Sequence, residues 1–252
     1  MLEPRHKGNK YWYPLLNHPL ARVMKFERLM TYFGQLPAGA SVLDYGSGDR
    51  PYENLLREKF SNYIAADYDV TNRQHSRRPD IYIDGDRLDL PDNSVDCVLF
   101  TEVLEHLYEP GKVLQEIHRI LKPGGHIIGT VPFAVQEHEQ PYDFHRYTYF
   151  CLQRMFPDAG YTIVKLEYIG DMIAVTISTT SRILSLFTKL LSKYHLGFIA
   201  WIFNLFVKIP EFIYHAISKT ALNPQKLAYL KSFPLGFTFM LEKAATEPDF
   251  SE

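Results

Sequence analysis

Cysteine is scarce in this 252-residue chain, tryptophan equally so, and no apolar run reaches the length of a membrane span. Only Cys97 and Cys151 occur, each inside an apolar stretch. Two isolated thiols exclude a disulfide framework or a thiolate metal cluster and fit a reduced, cytoplasmic setting. An excess of basic charge is missing as well: the formal net charge is −2, so bulk electrostatics give no nucleic-acid partner. Internal repeats and low-complexity linkers are absent. The opening MLEPRHKGNKYWYP carries basic residues with no apolar run behind them, so it does not read as a signal peptide. What is present is a 46% hydrophobic fraction, ample for the core of one α/β domain with attachments.

The apolar pattern alternates between strand and helix periods. Asn17-His-Pro19 opens a helix over 20–35, with Val23, Phe26, Leu29, Met30 and Phe33 at helical spacing. Short buried strands are expected at 41–45, 62–68, 80–83, 95–101, 125–131, 161–169 and 237–242. Helices are expected from Pro51 through Phe60, from Pro110 to Leu121 and near Thr148–Phe156. Repeated strand–helix units imply an α/β, Rossmann-like, mostly parallel seven-stranded sheet with helices on both faces. The division reads as an N-terminal helical segment to residue 40, a core over 41–170, an apolar helical insertion over 171–230 and a final strand and tail.

Ligands of such sheets bind at the carboxyl ends of the strands. The stretch VLDYGSGDRP places Gly46 and Gly48 there, just after the first strand. Glycine permits a sharp turn and the close approach of a ligand to the backbone. Asp67 ends the second strand, where a carboxylate can accept both ribose hydroxyls of a nucleoside. Two departures argue against a dinucleotide: Asp44 precedes the glycines, and Pro51 stands where a third glycine is needed. A nucleoside ligand without phosphates, bearing a cationic or zwitterionic tail, suits this acidic loop better.

These strings, with AADYD and YIDGDRLDLPDNSVDCVLFTEVLEHLYEPGKVLQEIHRILKPGGHIIGTVPF, resemble class I S-adenosylmethionine-dependent methyltransferases over roughly residues 40–170. The likeness is to the small-molecule and glycan-type branch whose helix opens with EVLEH. The resemblance implies that Asp44, Gly46, Ser47 and Gly48 surround the methionine part of the cofactor, and that Asp67 and Tyr68 border its ribose. It implies further that Asp86 and Arg87 flank the adenine, while Thr101 and Glu102 close the pocket. Arg50 replaces a glycine common in the family, which would either reshape the loop or aim a guanidinium at an anionic group.

Methyl transfer from a sulfonium needs proximity and alignment, with a base only where the acceptor must shed a proton. The loop over 132–148, PFAVQEHEQPYDFHRYT, supplies candidates in His138, Asp143 and His145, walled by Tyr142 and Tyr147. The resemblance puts this loop over the cofactor's methyl. The alternative is that these residues pin the loop, with Arg146 on Asp143. No metal is expected, because the spacing of His138 and His145 matches no common ligand pattern. His106 reads as a packing or positioning residue.

Residues 171–220 form the second informative region. Ile183, Leu184, Leu186, Phe187, Leu190, Leu191 and Tyr194 lie on one helical face, and the uncharged stretch 194–207 adds Phe198, Trp201, Phe203 and Phe206. That stretch is shorter than the roughly 20 residues of a spanning helix. Arg182, Lys189, Lys193, Lys208 and Lys219 outnumber Asp171 and Glu211. A hairpin lying on the inner leaflet of the cytoplasmic membrane, a homodimer interface and a lid on the chain's own domain compete, in that order. The expected activity is methyl transfer to a small or lipid-linked acceptor, foremost a hydroxyl of a cell-surface glycan precursor. The alternatives are an isoprenoid or quinone-like lipid acceptor and an inactive cofactor-binding partner protein.

Overall fold

The computed structural model describes residues 19–60, 62–69, 77–194, 196–220 and 222–243. The reading of the N-terminal segment up to residue 18, including Asn17, falls outside the described residues. Helix α1 (Leu20–Phe33) leads into strand β1 (Ser41–Tyr45), helix α2 (Glu53–Lys59) and strand β2 (Asn62–Tyr68). Strands β3 (Ile81–Ile83) and β4 (Val95–Thr101) follow, then helix α3 (Pro110–Ile120) and strand β5 (Leu121–Pro132). Helix α4 (Tyr149–Asp158) and strand β6 (Tyr161–Ile169) precede two long helices, α5 (Met172–Lys193) and α6 (Gly197–Ser218). A short helix α7 (Ala228–Lys231) and strand β7 (Gly236–Lys243) close the described chain.

The sheet has seven strands in the order β3-β2-β1-β4-β5-β7-β6. Pairings from β3 through β5 are parallel, and β7 runs antiparallel to both β5 and β6. The strand order reverses between β1 and β4, so the ligand crevice of such a sheet lies at the carboxyl ends of these strands. Each face carries its own apolar layer. Leu29, Tyr32 and Phe33 of α1 and Leu56 of α2 cover one face, with Val42, Ala65, Leu99 and Ile128 from the strands. Val113, Leu114 and Ile117 of α3 and Leu152 and Phe156 of α4 cover the other, against Leu43, Val98, Phe100 and Phe239.

One boundary differs from the pattern-based expectation. Lys122-Pro-Gly-Gly125 reads as a breaker between α3 and a strand beginning at 125, yet β5 starts at Leu121. The register slips between Val95 and Cys97, whose partners are Leu121 and His126, and the intervening residues bulge out. A bulge absorbs a proline and two glycines that a regular ladder would reject.

The insertion over 171–220 is a helical hairpin, α5 and α6, each of 22 residues. Its base is docked: Ala174, Tyr214, Ile169 and Leu235 pack with Leu20 and Val23 of α1. Asp171 caps α5, accepting from the N–H groups of Ile173 and Ala174 and from the hydroxyl of Tyr214 at 2.8 Å. The far half exposes Ile183, Leu186, Phe187 and Leu190 on α5 and Phe198, Ile202 and Phe206 on α6. The side chain of Trp201 and residue His195 fall outside the described residues. Among the described residues no helix is long and apolar enough to cross a membrane.

Candidate functional site

The β1–α2 turn lies across the end of β2. The amides of Gly46 and Ser47 donate to the carbonyl of Ala66, at 2.9 and 3.0 Å. The amide of Gly48 donates to Asp67 Oδ2 at 2.7 Å, while Asp67 Oδ1 accepts from the amide of Tyr68 at 2.8 Å. Asp67 is thus fixed at the position where such sheets present a carboxylate to a ribose. Gly46 sits at φ +70°, and a Cβ there would lie 2.6 Å from Cγ2 of Val103. Gly48 also adopts positive φ, at +50°. Gly46 therefore lets the turn close against the segment after β4.

Asp44 is buried beneath this turn and accepts a 2.5 Å hydrogen bond from the Tyr63 hydroxyl. Burial pushes its carboxyl up to about 7; the Tyr63 hydrogen bond opposes that shift and the charge of Asp67 adds to it. Tyr68 shares a 2.7 Å hydrogen bond with the hydroxyl of Tyr45. Asp86 and Arg87 occupy an exposed turn beyond β3, closed by the bridge between Asp84 and Arg87. Thr101 is half-buried at the end of β4. Glu102 accepts from Thr130 Oγ1 at 2.8 Å and pairs with Lys25 of α1, a partner that the sequence pattern did not reveal.

Arg50 is not aimed at an anionic ligand. Its guanidinium turns inward to the carbonyl of Arg78 and to Asp80 at 3.2 Å, with Glu53 at 3.6 Å. The acidic neighbours take up the charge that a pyrophosphate would need. Of the four described non-glycine residues at positive φ, Arg50, Glu102 and Glu139 border the site. Such conformations persist where surrounding contacts over-determine them, and they cluster at functional sites.

The segment after β4 is a single 3₁₀ turn, Leu104–His106, so EVLEH opens a turn and α3 begins later, at Pro110. The loop over 132–148 is fastened to this turn. The amides of Phe144 and His145 donate to the carbonyl of Glu105, and the hydroxyl of Tyr147 donates to that of Leu104. Asp143 receives both guanidinium nitrogens of Arg146, at 2.6 and 2.7 Å, and the amide of His138 at 2.9 Å. The Arg146 hydrogen bond holds the Asp143 carboxyl well below the usual carboxylate range. This geometry suits a residue that positions the loop. His145 turns toward the Tyr147 ring, with centroids 5.3 Å apart, and its Nε2 is buried with no hydrogen-bond partner among the described residues. His138 lies against His106, ring centroids 4.8 Å apart, both facing the buried Glu105. His138 and Asp143 are therefore brought together, and Glu105 and His106 join them.

A cleft of about 760 Å³ separates the start of this loop from the hairpin. Phe133, Val135 and Gln136 line one wall, and Thr179, Ile183 and Leu186 line the other. Arg182 of α5 donates to the Gln136 side chain across it.

The profile of the methyltransferase domain matches residues 16–166. A probable S-adenosylmethionine-dependent methyltransferase of Mycolicibacterium smegmatis is 35% identical over 100 residues, 38% of this chain and 39% of that protein. A demethylmenaquinone methyltransferase of Paenarthrobacter aurescens is 29% identical over 123 residues, 46% of this chain and 49% of that one. The chain thus spans half or less of the length of these curated relatives. Among solved structures, an S-adenosylmethionine-dependent methyltransferase from Mesorhizobium loti aligns with a TM-score of 0.55 at 14% identity. That alignment covers 88% of this chain and 99% of the other, a likeness of fold.

Proposed function

The chain belongs to the methyltransferase-domain family, and from that premise we propose that it transfers a methyl group from S-adenosylmethionine to a lipid-linked acceptor. The observation that carries the cofactor half is the turn of Gly46 and Gly48 fastened to the buried Asp67 at the carboxyl ends of β1 and β2. A buried carboxyl pair, Asp44 and Asp67, with the nearby guanidinium of Arg50 engaged elsewhere, suits a cationic nucleoside and disfavours a pyrophosphate. Asp67 and Tyr68 would border the ribose, Asp44 and Ser47 the methionine moiety, Asp86 and Arg87 the adenine, and Thr101 and Glu102 the rim. S-adenosylmethionine supplies, when bound, a methyl activated by positively charged sulfur. The chain's residues position the acceptor, exclude water and accept its proton.

For that last role the loop offers His138 and His145, with Asp143 holding the loop through Arg146. The buried, unpartnered Nε2 of His145 makes it the preferred proton acceptor for a hydroxyl. The lipid-linked character of the acceptor rests on the apolar cleft, which opens between this loop and the exposed face of the hairpin. A hydroxyl of a membrane-bound glycan precursor fits that path. A quinone-like lipid is the second reading, favoured by the relatives named demethylmenaquinone methyltransferases.

The cofactor is tested by calorimetry. S-adenosylmethionine should bind, and Asp67→Ala should weaken it by about 1–3 kcal/mol through lost charge-assisted hydrogen bonds. Unchanged affinity in the variant, or preferential binding of a dinucleotide, would remove the assignment. Mass spectrometry of glycolipid and quinone fractions, from cells with and without the protein, separates the two acceptors. A methyl difference in neither fraction would refute both.

A further inference from the structure

Glu105 is fully buried in the 3₁₀ turn, and among the described residues neither carboxylate oxygen has a hydrogen-bond partner. A buried carboxyl left without partners is costly, so native structures almost always provide some. Two imidazoles face it, and the charges of Glu102, Lys25 and Arg146 lie in its surroundings. Nε2 of His106 lies 3.6 Å from Glu105 Oε1, and Nε2 of His138 lies 3.9 Å from the same oxygen. One donor atom from each of the three residues falls within 4.8 Å of the others. On each ring the other nitrogen is already engaged. Nδ1 of His106 is 2.7 Å from the carbonyl of Tyr142, and Nδ1 of His138 is 3.2 Å from that of Gln136, with Asp143 Oδ2 at 3.4 Å. An imidazole that donates from Nδ1 presents the Nε2 lone pair to whatever lies beyond it. Asp143 is held in turn by Arg146, so the ligand-like residues are backed by an outer layer of oriented partners.

The three side chains do not satisfy one another, because 3.6 and 3.9 Å exceed hydrogen-bond length. Coordination distances are shorter: nitrogen and carboxylate oxygen bind a zinc-sized ion at about 2.0–2.2 Å, which leaves neighbouring donors about 3–4 Å apart. We infer that Glu105, His106 and His138 bind a divalent first-row transition-metal ion, with zinc the representative case. Two imidazoles and one carboxylate suit zinc or ferrous iron better than magnesium or calcium, which take oxygen ligands. Three protein donors leave a position open, and the Glu139 carboxylate stands at its rim, 3.8 Å from His106 Nε2. This assignment replaces the expectation that the chain holds no metal, and it moves His138 from proton acceptor to ligand. Use of the ion to hold an acceptor oxygen rests on the methyltransferase reading; binding of the ion does not.

The test uses the untagged full chain, stripped with a chelator and titrated separately with Zn²⁺ and Co²⁺. One equivalent should bind per chain, the cobalt form should show the visible absorption of a nitrogen-ligated site, and excess Mg²⁺ should not displace it. Glu105→Gln and His138→Gln should each weaken Zn²⁺ binding at least about tenfold, while His145→Gln should retain it. Cooperative urea unfolding checks that each variant is folded. Absence of a stoichiometric site, or equal retention of zinc by the His138 and His145 variants, would overturn the assignment. A chain that takes up no stoichiometric Zn²⁺ yet binds and turns over S-adenosylmethionine removes the metal site alone. A chain that binds zinc but no S-adenosylmethionine removes the methyltransferase reading alone.

Discussion

Replacing Gly46 by alanine probes the turn on which the proposed cofactor pocket depends. Two separate costs arise at this position. The residue sits at φ +70°, in the left-handed region, where a Cβ costs about 1–2 kcal/mol. The added methyl would also stand 2.6 Å from Val103 Cγ2, with the other Val103 carbons at 3.5 and 3.6 Å. Overpacking of a buried contact costs about 1–3 kcal/mol, and Val103 is only 6% exposed. Gly46→Ala should therefore destabilise the chain by about 2–5 kcal/mol, large against the roughly 5–15 kcal/mol of a typical domain. Val103→Ala isolates the clash. In urea unfolding, the double variant should be more stable than the two single losses predict, by about 1–3 kcal/mol, while the backbone cost persists. A loss below about 0.5 kcal/mol in Gly46→Ala, or a coupling indistinguishable from zero, would refute the account of a turn packed against the segment after β4.

Asp44 gives a pH dependence of defined sign. Its folded-state carboxyl titrates at about 7 against an ordinary 3.8, so between these values the folded chain keeps a proton that the unfolded chain has lost. Stability from this group is fully present below about pH 4 and declines as pH rises through 7, by at most about 4 kcal/mol. Urea unfolding across that range should show the decline, and Asp44→Asn should flatten it; an unchanged profile in the variant would exclude Asp44 as its source. The exposed half of the hairpin should carry the protein onto anionic liposomes, with exposed Lys189 and Lys193 giving a salt-sensitive part and the apolar face a salt-resistant one. Phe198→Glu with Phe206→Glu should release the protein in sedimentation without altering cofactor affinity. Wild type that stays in the supernatant at low salt, and is dimeric there, would assign the face to a second subunit.

The sheet was legible because its strands are short apolar runs bounded by glycine, proline or acidic turns, and that punctuation survives in one sequence. The glycine turn was legible for the same reason, since Gly46, Gly48 and Asp67 are placed by strand ends. The bulge at the start of β5 was not, because proline and glycine read as breakers unless the partner strand is known to slip. The side-chain cluster was only half legible. His138 and Asp143 lie in one loop, but their meeting with Glu105 and His106 depends on how that loop closes over the 3₁₀ turn. One signal did exist: Glu105 and His106 interrupt an apolar stretch whose neighbours Val103, Leu104 and Leu107 are all buried. A carboxyl placed among such residues needs a partner, and the sequence cannot say which one.

The hairpin and the site share structural supports. Helix α1 supplies Lys25 to Glu102, and two residues along it Glu27 meets Lys219 at 2.7 Å and His215 at 3.3 Å at the C-terminal end of α6. The same helix buries Leu20 and Val23 against Ala174 and Tyr214 at the hairpin's base. On the other side, Arg182 reaches Gln136 in the loop that carries His138. Deleting the hairpin would thus remove supports of α1 and of the loop over 132–148 together, besides uncovering apolar surface. Loss of turnover in such a deletion would not separate docking from catalysis. Substitutions confined to the projecting half, such as Phe198 and Phe206 ahead of Val207 on α6, leave the base packing intact. Only there can attachment to a surface be weakened while Lys25, Glu102 and the loop keep their places.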